Sequence, residues 1–378
     1  MEVIGIVVEY NPFHNGHLYQ INKIKELYQD SLLIVVTSSS FTQRGELSIL
    51  NKWDKTKIAI ENGIDIVVEL PYIYSTQSSD IFASYALKIL NGFNIDYLCF
   101  GTESDTIDDL INSAKTQINN KKFDLLVKEY MGKGINYPTA LNNALKDLNQ
   151  KEFNTPNDLL ALSYIKEILK NKYSFKPLNI KRTNNYHDID SNDDISSASN
   201  IRVKLSQNKD ISHMVPSNTL NILKNKNIAS KYFEYLKYKI VSEKDLSIYL
   251  DVDEGLSTRI KKSINISNNL EELIQNIKTK RYTYNKISRM LCHILCSFTK
   301  EENNIKDLEY IRILGFNKKG QEYLNKIKSN LNVPILNKYD TKKYKTLDIE
   351  YRVSQVYSQI YENILEDEIK NKPIKKDE

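Results

Sequence analysis

The sequence predicts an α/β fold, a doubly wound parallel sheet followed by a mainly helical C-terminal domain. Three observations lead to it. Four short, nearly continuous apolar runs, "VIGIVVE" (3–9), "LLIVVTSS" (32–39), "IDIVVELP" (64–71) and "IDYLCFGTES" (95–104), read as strands covered on both faces. They alternate with segments of helical period, and β–α alternation implies a parallel sheet with right-handed crossovers. Beyond Pro216 the alternation stops and helical periodicity takes over.

Taken in order, the first strand passes through "EYNPFHNGHLYQ" (9–20) into a helix whose apolar stripe is Leu18, Ile21, Ile24 and Leu27. The segment from Ser75 to Leu90 repeats that period with Phe82, Ala86 and Ile89. Residues 105–171 read as mostly helical. Thr155-Pro156 marks one helix start, since proline's fixed φ suits the first turn. "FKPLNIKR" (175–182) is a fifth strand, and polar "TNNYHDIDSNDDISS" (183–197) is a loop feeding a short helix at "ASNIRVKL". A boundary near 212–218 divides the chain into domains 1–215 and 216–378. Within the second, "LEYIRILGFNKKGQEYLNKIK" (308–328) allows a short α/β piece, and the tail "EIKNKPIKKDE" is expected to fray.

With 378 residues, 40% of them apolar, the chain can build two cores. The net charge of +5 is unevenly spread: residues 1–215 carry 23 basic and 26 acidic side chains, and residues 216–378 carry 30 and 22. A basic second half suits a polyanion, although abundant Lys, Asn, Ile and Tyr also fit an AT-rich coding bias. Cys99, Cys292 and Cys296 form no C-x-x-C pair, which argues against a thiolate metal site; Cys292 and Cys296, one helical turn apart, read as core. No run reaches the roughly 18 apolar residues of a membrane span and no leader pattern opens the chain. A cytoplasmic protein without a membrane partner is expected.

The chemistry concentrates at His14 and His17. In a doubly wound sheet the loop after the first strand opens at the ligand side, and the next helix aims its free N–H groups there, which suits phosphate. Two imidazoles at that helix start would add donors that follow charge onto a departing pyrophosphate. Gly16 permits close approach, and Pro12 and Phe13 supply an apolar wall. The lysine-bearing phosphate loop G-x-x-x-x-G-K-[ST] is absent. Spacing alone leaves metal ligation, solvent exposure and helix capping open for an H-x-x-H pair. A metal would need a third ligand, for which only His187, beside Asp188, offers itself.

"GIVVEYNPFHNGHLYQ" resembles the H-x-G-H signature of the nucleotidyltransferase superfamily, with its Rossmann-like fold. The chain resembles the tRNA(Met) cytidine acetate ligase family more closely, through "SSSFTQRGELSILNKWDKTKIAIENGIDIVVELP", "STQSSDIFASYALKIL", "FGTES", "TPNDLLALSYIK", "IKRTNNYHD", "SSASNIR", "EGLSTRIKKS" and "TKRYTYNKISRML". That resemblance implies an enzyme that uses ATP and acetate to make acetyl-adenylate, releasing pyrophosphate, and then acetylates N4 of the wobble cytidine of elongator tRNA(Met). It implies His14 and His17 as catalytic residues. It also implies an ATP site of Val7, Val8, Glu9, Tyr10, Asn11, Pro12, Phe13, His14, Asn15, Gly16, His17, Leu18, Tyr19 and Gln20, with Gly101, Asn157, Arg182, Ser197 and Arg202. Mg²⁺ would accompany ATP, its ligands left unassigned. Arg44, Lys280, Arg281, Lys286 and Arg289 are the expected tRNA contacts, with Tyr282 and Tyr284 interleaved, and no DNA partner is expected.

Plainer roles stand beside these: Gly101 as a turn glycine, Asn157 and the serines as helix-start residues, Arg44 as a loop charge, and 279–290 as a solvated helix face. The chain has no convincing Cys-His or G-x-S-x-G nucleophile, in keeping with direct attack of acetate on the α-phosphate. Two other functions fit less of the sequence: a nucleotidyltransferase acting on a small phosphorylated acceptor, and a non-catalytic RNA-binding or ribosome-associated protein.

Overall fold

In the computed structural model, residues 1–103, 106–182, 194–224, 231–253, 255–361, 365–370 and 372–376 are described. His187 and Asp188 lie outside them. The strands are β1 (Glu2–Val8), β2 (Ser31–Ser38), β3 (Ile66–Leu70), β4 (Tyr97–Thr102), β5 (Lys176–Lys181), β6 (Ile313–Asn317) and β7 (Ile374–Lys376). They form one sheet in the order β5-β4-β1-β2-β3-β6-β7. Neighbours pair in parallel except β3 with β6. The five strands read from the sequence are all present.

The continuous apolarity of the central strands has a direct cause. In β2, Leu32, Ile34 and Val36 face one core, while Leu33 and Val35 face the other, so neither face can carry polar side chains. Helix α1 (Asn15–Leu27) packs Ile21 and Ile24 into the second core beside α2 (Lys52–Glu61). The expected stripe stops early: Leu27 is exposed, because α1 reaches the end of the sheet there. The chain runs from β1 outward to β2 and β3, then returns to β4 on β1's other side. A crevice therefore opens where the carboxyl ends of β1 and β4 diverge, at the topological switch point.

The chain beyond Pro216 begins with helices, including Tyr232–Ser242, Leu256–Ile264, Leu270–Ile277 and Tyr284–Leu295. It does not stay helical. Within the expected α/β piece, β6 pairs antiparallel with β3 and leads into the Lys318–Ile327 helix. Within the tail expected to fray, Ile374–Lys376 pairs with β6 as an edge strand. Backbone pairing fixes that segment, with Ile374 half-buried against the second core.

A buried charge cluster fastens this returning chain to the first half. Lys52, in the first turn of α2, sits among Glu69, Glu350 (3.1 Å) and Glu368 (3.0 Å). Arg312 joins Glu368 at 2.5 Å and Glu69 at 3.6 Å. Glu350 also accepts from the Ser39 hydroxyl and the Tyr72 N–H. Desolvation raises the Glu69 carboxyl above its ordinary range, as expected where three buried carboxylates share two cations.

Candidate active site

His14 is the N-cap of α1, in extended backbone at φ −142°, ψ 173°. Its Nδ1 accepts the Gly16 N–H at 3.1 Å, and His17 Nδ1 accepts the His14 N–H at 3.2 Å. This is a capping box built from two imidazoles instead of a hydroxyl and a carboxylate. With both Nδ1 lone pairs engaged, each neutral ring carries its proton on Nε2.

Burial keeps them neutral. His14 is pushed down to about 3, by desolvation first and then by the Arg182 charge. His17 is held well below its ordinary value by burial, His14 and Arg182. The ring centroids lie 3.8 Å apart, and an added Cβ on Gly16 would stand 2.9 Å from the His14 ring, so the glycine is a steric requirement. Tyr10, at φ 44°, closes the turn after β1 and sets its ring edge-on to Phe13 and His17, 4.8 Å from each.

The histidines border a cavity of about 1100 Å³ over the carboxyl ends of β1 and β4. Of residues 7–20, Val7, Val8, Glu9, Tyr10, Asn11, His14, Gly16, His17, Tyr19 and Gln20 line it, whereas Pro12, Phe13, Asn15 and Leu18 do not. Phe13 and Leu18 belong to the core beneath. Asn15 ties the turn to later chain, its Nδ2 donating to the carbonyls of Asp194 at 2.9 Å and His213 at 2.8 Å.

Gly101, Asn157 and Arg182 line the same cavity. Glu103 organises them: its carboxylate accepts from Asn157 Nδ2 at 2.5 Å and Thr155 Oγ1 at 3.0 Å, and lies 3.7 Å from Arg182 Nε. Arg182 Nε is buried without a hydrogen bond among the described residues. Asn157 therefore does more than start the Pro156–Asn171 helix, whose N-cap is Thr155.

Ser197 and Arg202 also line the cavity, with their polar atoms engaged. Ser197 Oγ accepts the Asn200 N–H at 3.2 Å, capping the Ala198–Ser206 helix. Arg202 donates to the Asn11 carbonyl at 2.8 Å and to Glu46 at 2.6 Å. Two residues that sequence reading passed over shape this wall, Tyr164 by lining it and Glu103 by holding Asn157 and Arg182. Glu103 stood inside the quoted "FGTES" block. Tyr164 carries a buried hydroxyl with no partner among the described residues, and only its helical register pointed to it.

The far wall comes from beyond Pro216. The turn bridging Phe41 and Leu47 packs on the Tyr284–Leu295 helix at Gly45 (φ +78°), where an added Cβ would lie 2.6 Å from Arg289 Cα. Arg44, Arg281, Lys286 and Arg289 line the cavity. Lys286 pairs with Asp253 at 2.8 Å, and Arg289 Nε lies 4.0 Å from Asp251. Lys280 is exposed and outside the lining; its carbonyl accepts from Asn136 Nδ2 at 3.4 Å. Among the described residues no three His, Cys, Asp or Glu side chains converge as a metal site, and no helix is long and apolar enough to cross a membrane.

Comparison with known proteins agrees with this fold. The model of the HIGH nucleotidyl transferase family matches residues 1–372. The chain is 39% identical to the tRNA(Met) cytidine acetate ligase of Clostridium tetani, with all of both chains covered. It is 38% identical to that of Oceanobacillus iheyensis, over 95% of each. Among solved structures it is similar to Thermotoga maritima TmcAL bound with alpha-thio ATP, at TM-score 0.88 and 27% identity, and to the apo form at 0.90 and 26%, each covering both chains fully. The family model over nearly the whole chain and these full-length relatives identify the chain as a member of the tRNA(Met) cytidine acetate ligase family of HIGH nucleotidyl transferases.

Proposed function

We propose that this protein is an ATP-dependent ligase that activates acetate as acetyl-adenylate and acetylates N4 of the wobble cytidine of elongator tRNA(Met). The observation that carries this reading is the pair of neutral imidazoles, both Nδ1 atoms engaged in capping α1, beside a cavity whose far wall holds cations of the second half.

The triphosphate sits beside the N-terminus of α1, where the two Nε2–H donors meet the positive end of the helix dipole; the first backbone N–H groups are already taken by Met214 and His14. Acetate oxygen attacks the α-phosphorus, the bond to the β-phosphate oxygen breaks, and pyrophosphate leaves with the electron pair. The imidazoles donate to charge growing on the phosphates without being charged beforehand, so they stabilise the transition state more than the bound substrate. Arg182, with an unbonded Nε, supplies the cation nearest to them. Arg202 contributes by holding the Asn11 carbonyl and with it the turn. The wall of Gly101 and Asn157 takes the nucleoside.

N4 of the cytidine then attacks the acyl carbon, the C–O bond to AMP breaks, and N4 gives up a proton. Mg²⁺ enters with ATP. It would neutralise charge on the phosphates as pyrophosphate leaves. Residues 1–215 carry the ATP chemistry. Arg44, Arg281, Lys286, Arg289 and the outlying Lys280 bind the anticodon arm in the cytoplasm.

Purified protein incubated with ATP, Mg²⁺, labelled acetate and elongator tRNA(Met) should place label on the tRNA without acetyl-CoA. Pyrophosphate release only with a different acceptor, or tight RNA binding without turnover, would overturn the reading.

A further inference from the structure

The nucleotide site leaves part of the cavity unexplained. Its far wall carries Asp251 and Arg289, and their surroundings are unlike those of the nearby surface charges. The Arg289 side chain is only 13% exposed, yet its Nε is buried with no hydrogen bond among the described residues and stands 4.0 Å from Asp251, beyond bonding distance. Asp251 adopts φ 66°, a conformation that costs a non-glycine residue free energy and marks functional sites often enough to ask what it serves. The segment is held firmly: Leu250 N–H donates to the Phe298 carbonyl at 3.1 Å, and Tyr249 bridges Thr299. Neighbouring Asp253, by contrast, is satisfied by Lys286.

A short path joins this pair to the histidines. Arg289 backbone is pressed against Gly45, Glu46 holds Arg202, and Arg202 holds the carbonyl of Asn11. Asp251 and Arg289 both line the cavity in which the acyl group is made.

We propose that Asp251 and Arg289 read the Watson–Crick edge of the acceptor base, the carboxylate accepting from N4 and the guanidinium donating to N3 and O2. The assignment rests on the proposed function and names the residues that choose cytosine. Cytosine presents one donor followed by two acceptors, which a carboxylate beside an arginine matches. Uracil would set its O4 against the carboxylate and its N3–H against the guanidinium, leaving both charges opposed. When N4 forms its bond to the acyl carbon and the C–O bond to AMP breaks, the proton leaving N4 passes to Asp251. Burial holds that carboxyl above its ordinary range, against the pull of Arg289 and Lys286, which makes it a better proton acceptor.

The test separates the two half-reactions. Asp251→Asn keeps acetate-dependent ATP–pyrophosphate exchange within about twofold of wild type, while transfer to tRNA falls at least about 100-fold, because an amide cannot take the proton. Since an amide can turn its NH₂ toward O4, a transcript with uridine at the wobble position should also inhibit the variant about tenfold better than it inhibits wild type. Transfer near the wild-type rate, or unchanged rejection of the uridine transcript, overturns the assignment. Equal loss of exchange and transfer overturns it too, by marking Asp251 as structural. A wild-type protein that exchanges pyrophosphate but acetylates neither transcript would instead sink the proposed function, and this assignment with it.

Discussion

Replacing His14 separates its two roles, because capping and phosphate contact use different ring nitrogens. His14→Ala removes the acceptor of the Gly16 N–H, a loss of about 1 kcal/mol for an N-cap. It also removes a ring that is 4% exposed and lies 3.8 Å from His17. Separately it deletes one donor to the developing phosphate charge, worth a factor of about 10²–10³ in rate. His14→Asn restores the cap, since asparagine is among the strongest N-cap residues, but its side chain is too short to carry an N–H to where the imidazole Nε2–H stands. Urea unfolding should therefore place His14→Asn within about 0.5 kcal/mol of wild type and His14→Ala about 1 kcal/mol or more below it. Acetate-dependent exchange of labelled pyrophosphate into ATP should fall about 10²–10³-fold in both. Near-normal exchange by His14→Asn would refute the role assigned to the ring, since only the cap would then matter.

Two further outcomes follow from buried groups. His293, buried with Nδ1 2.9 Å from the Tyr72 hydroxyl, is pushed by burial down to about 3, as is His14. A histidine depressed in the folded state binds fewer protons there than when unfolded, so its stability contribution is complete above the unfolded value near 6.5 and drains away as pH falls toward 3. At pH 5 each ring costs about 2 kcal/mol. Between pH 7.5 and pH 5, His293→Gln should lose about 2 kcal/mol less than wild type in urea melts, and parallel pH slopes would contradict this. Lys52→Met leaves Glu69, Glu350 and Glu368 with Arg312 alone, and should destabilise by about 3–5 kcal/mol in the same assay. A loss under about 1 kcal/mol would show that the cluster is compensated elsewhere.

The sequence made β1 to β4 legible because these strands are largely buried on both faces, and apolar runs bounded by turns announce that state directly; β5, half-buried at the sheet edge, offered a weaker pattern. β7 was not legible: Ile374–Lys376 is an edge strand of three residues among lysines, held by main-chain pairing that leaves little pattern. The helix stripe overran at Leu27 because periodicity does not report where a sheet ends. In the site, His14, Gly16 and His17 were readable from their spacing together with the motif. Glu103, which positions Asn157 and Arg182, could not be ranked above other carboxylates, since its importance lies in partners about 50 and 80 residues away. Asp251 was invisible for the same reason: only the fold sets it beside Arg289 and the nucleotide cavity.

The antiparallel pairing of β3 with β6 has a consequence during synthesis. Ile66 meets Phe316, about 250 residues later in the chain. At translation rates of about 5–20 residues per second, the emerging polypeptide presents an apolar strand with one edge unpaired for roughly 12–50 s before its partner leaves the ribosome. Its open side, including Val67 and Val68, is then the part of the newborn protein most in need of a chaperone.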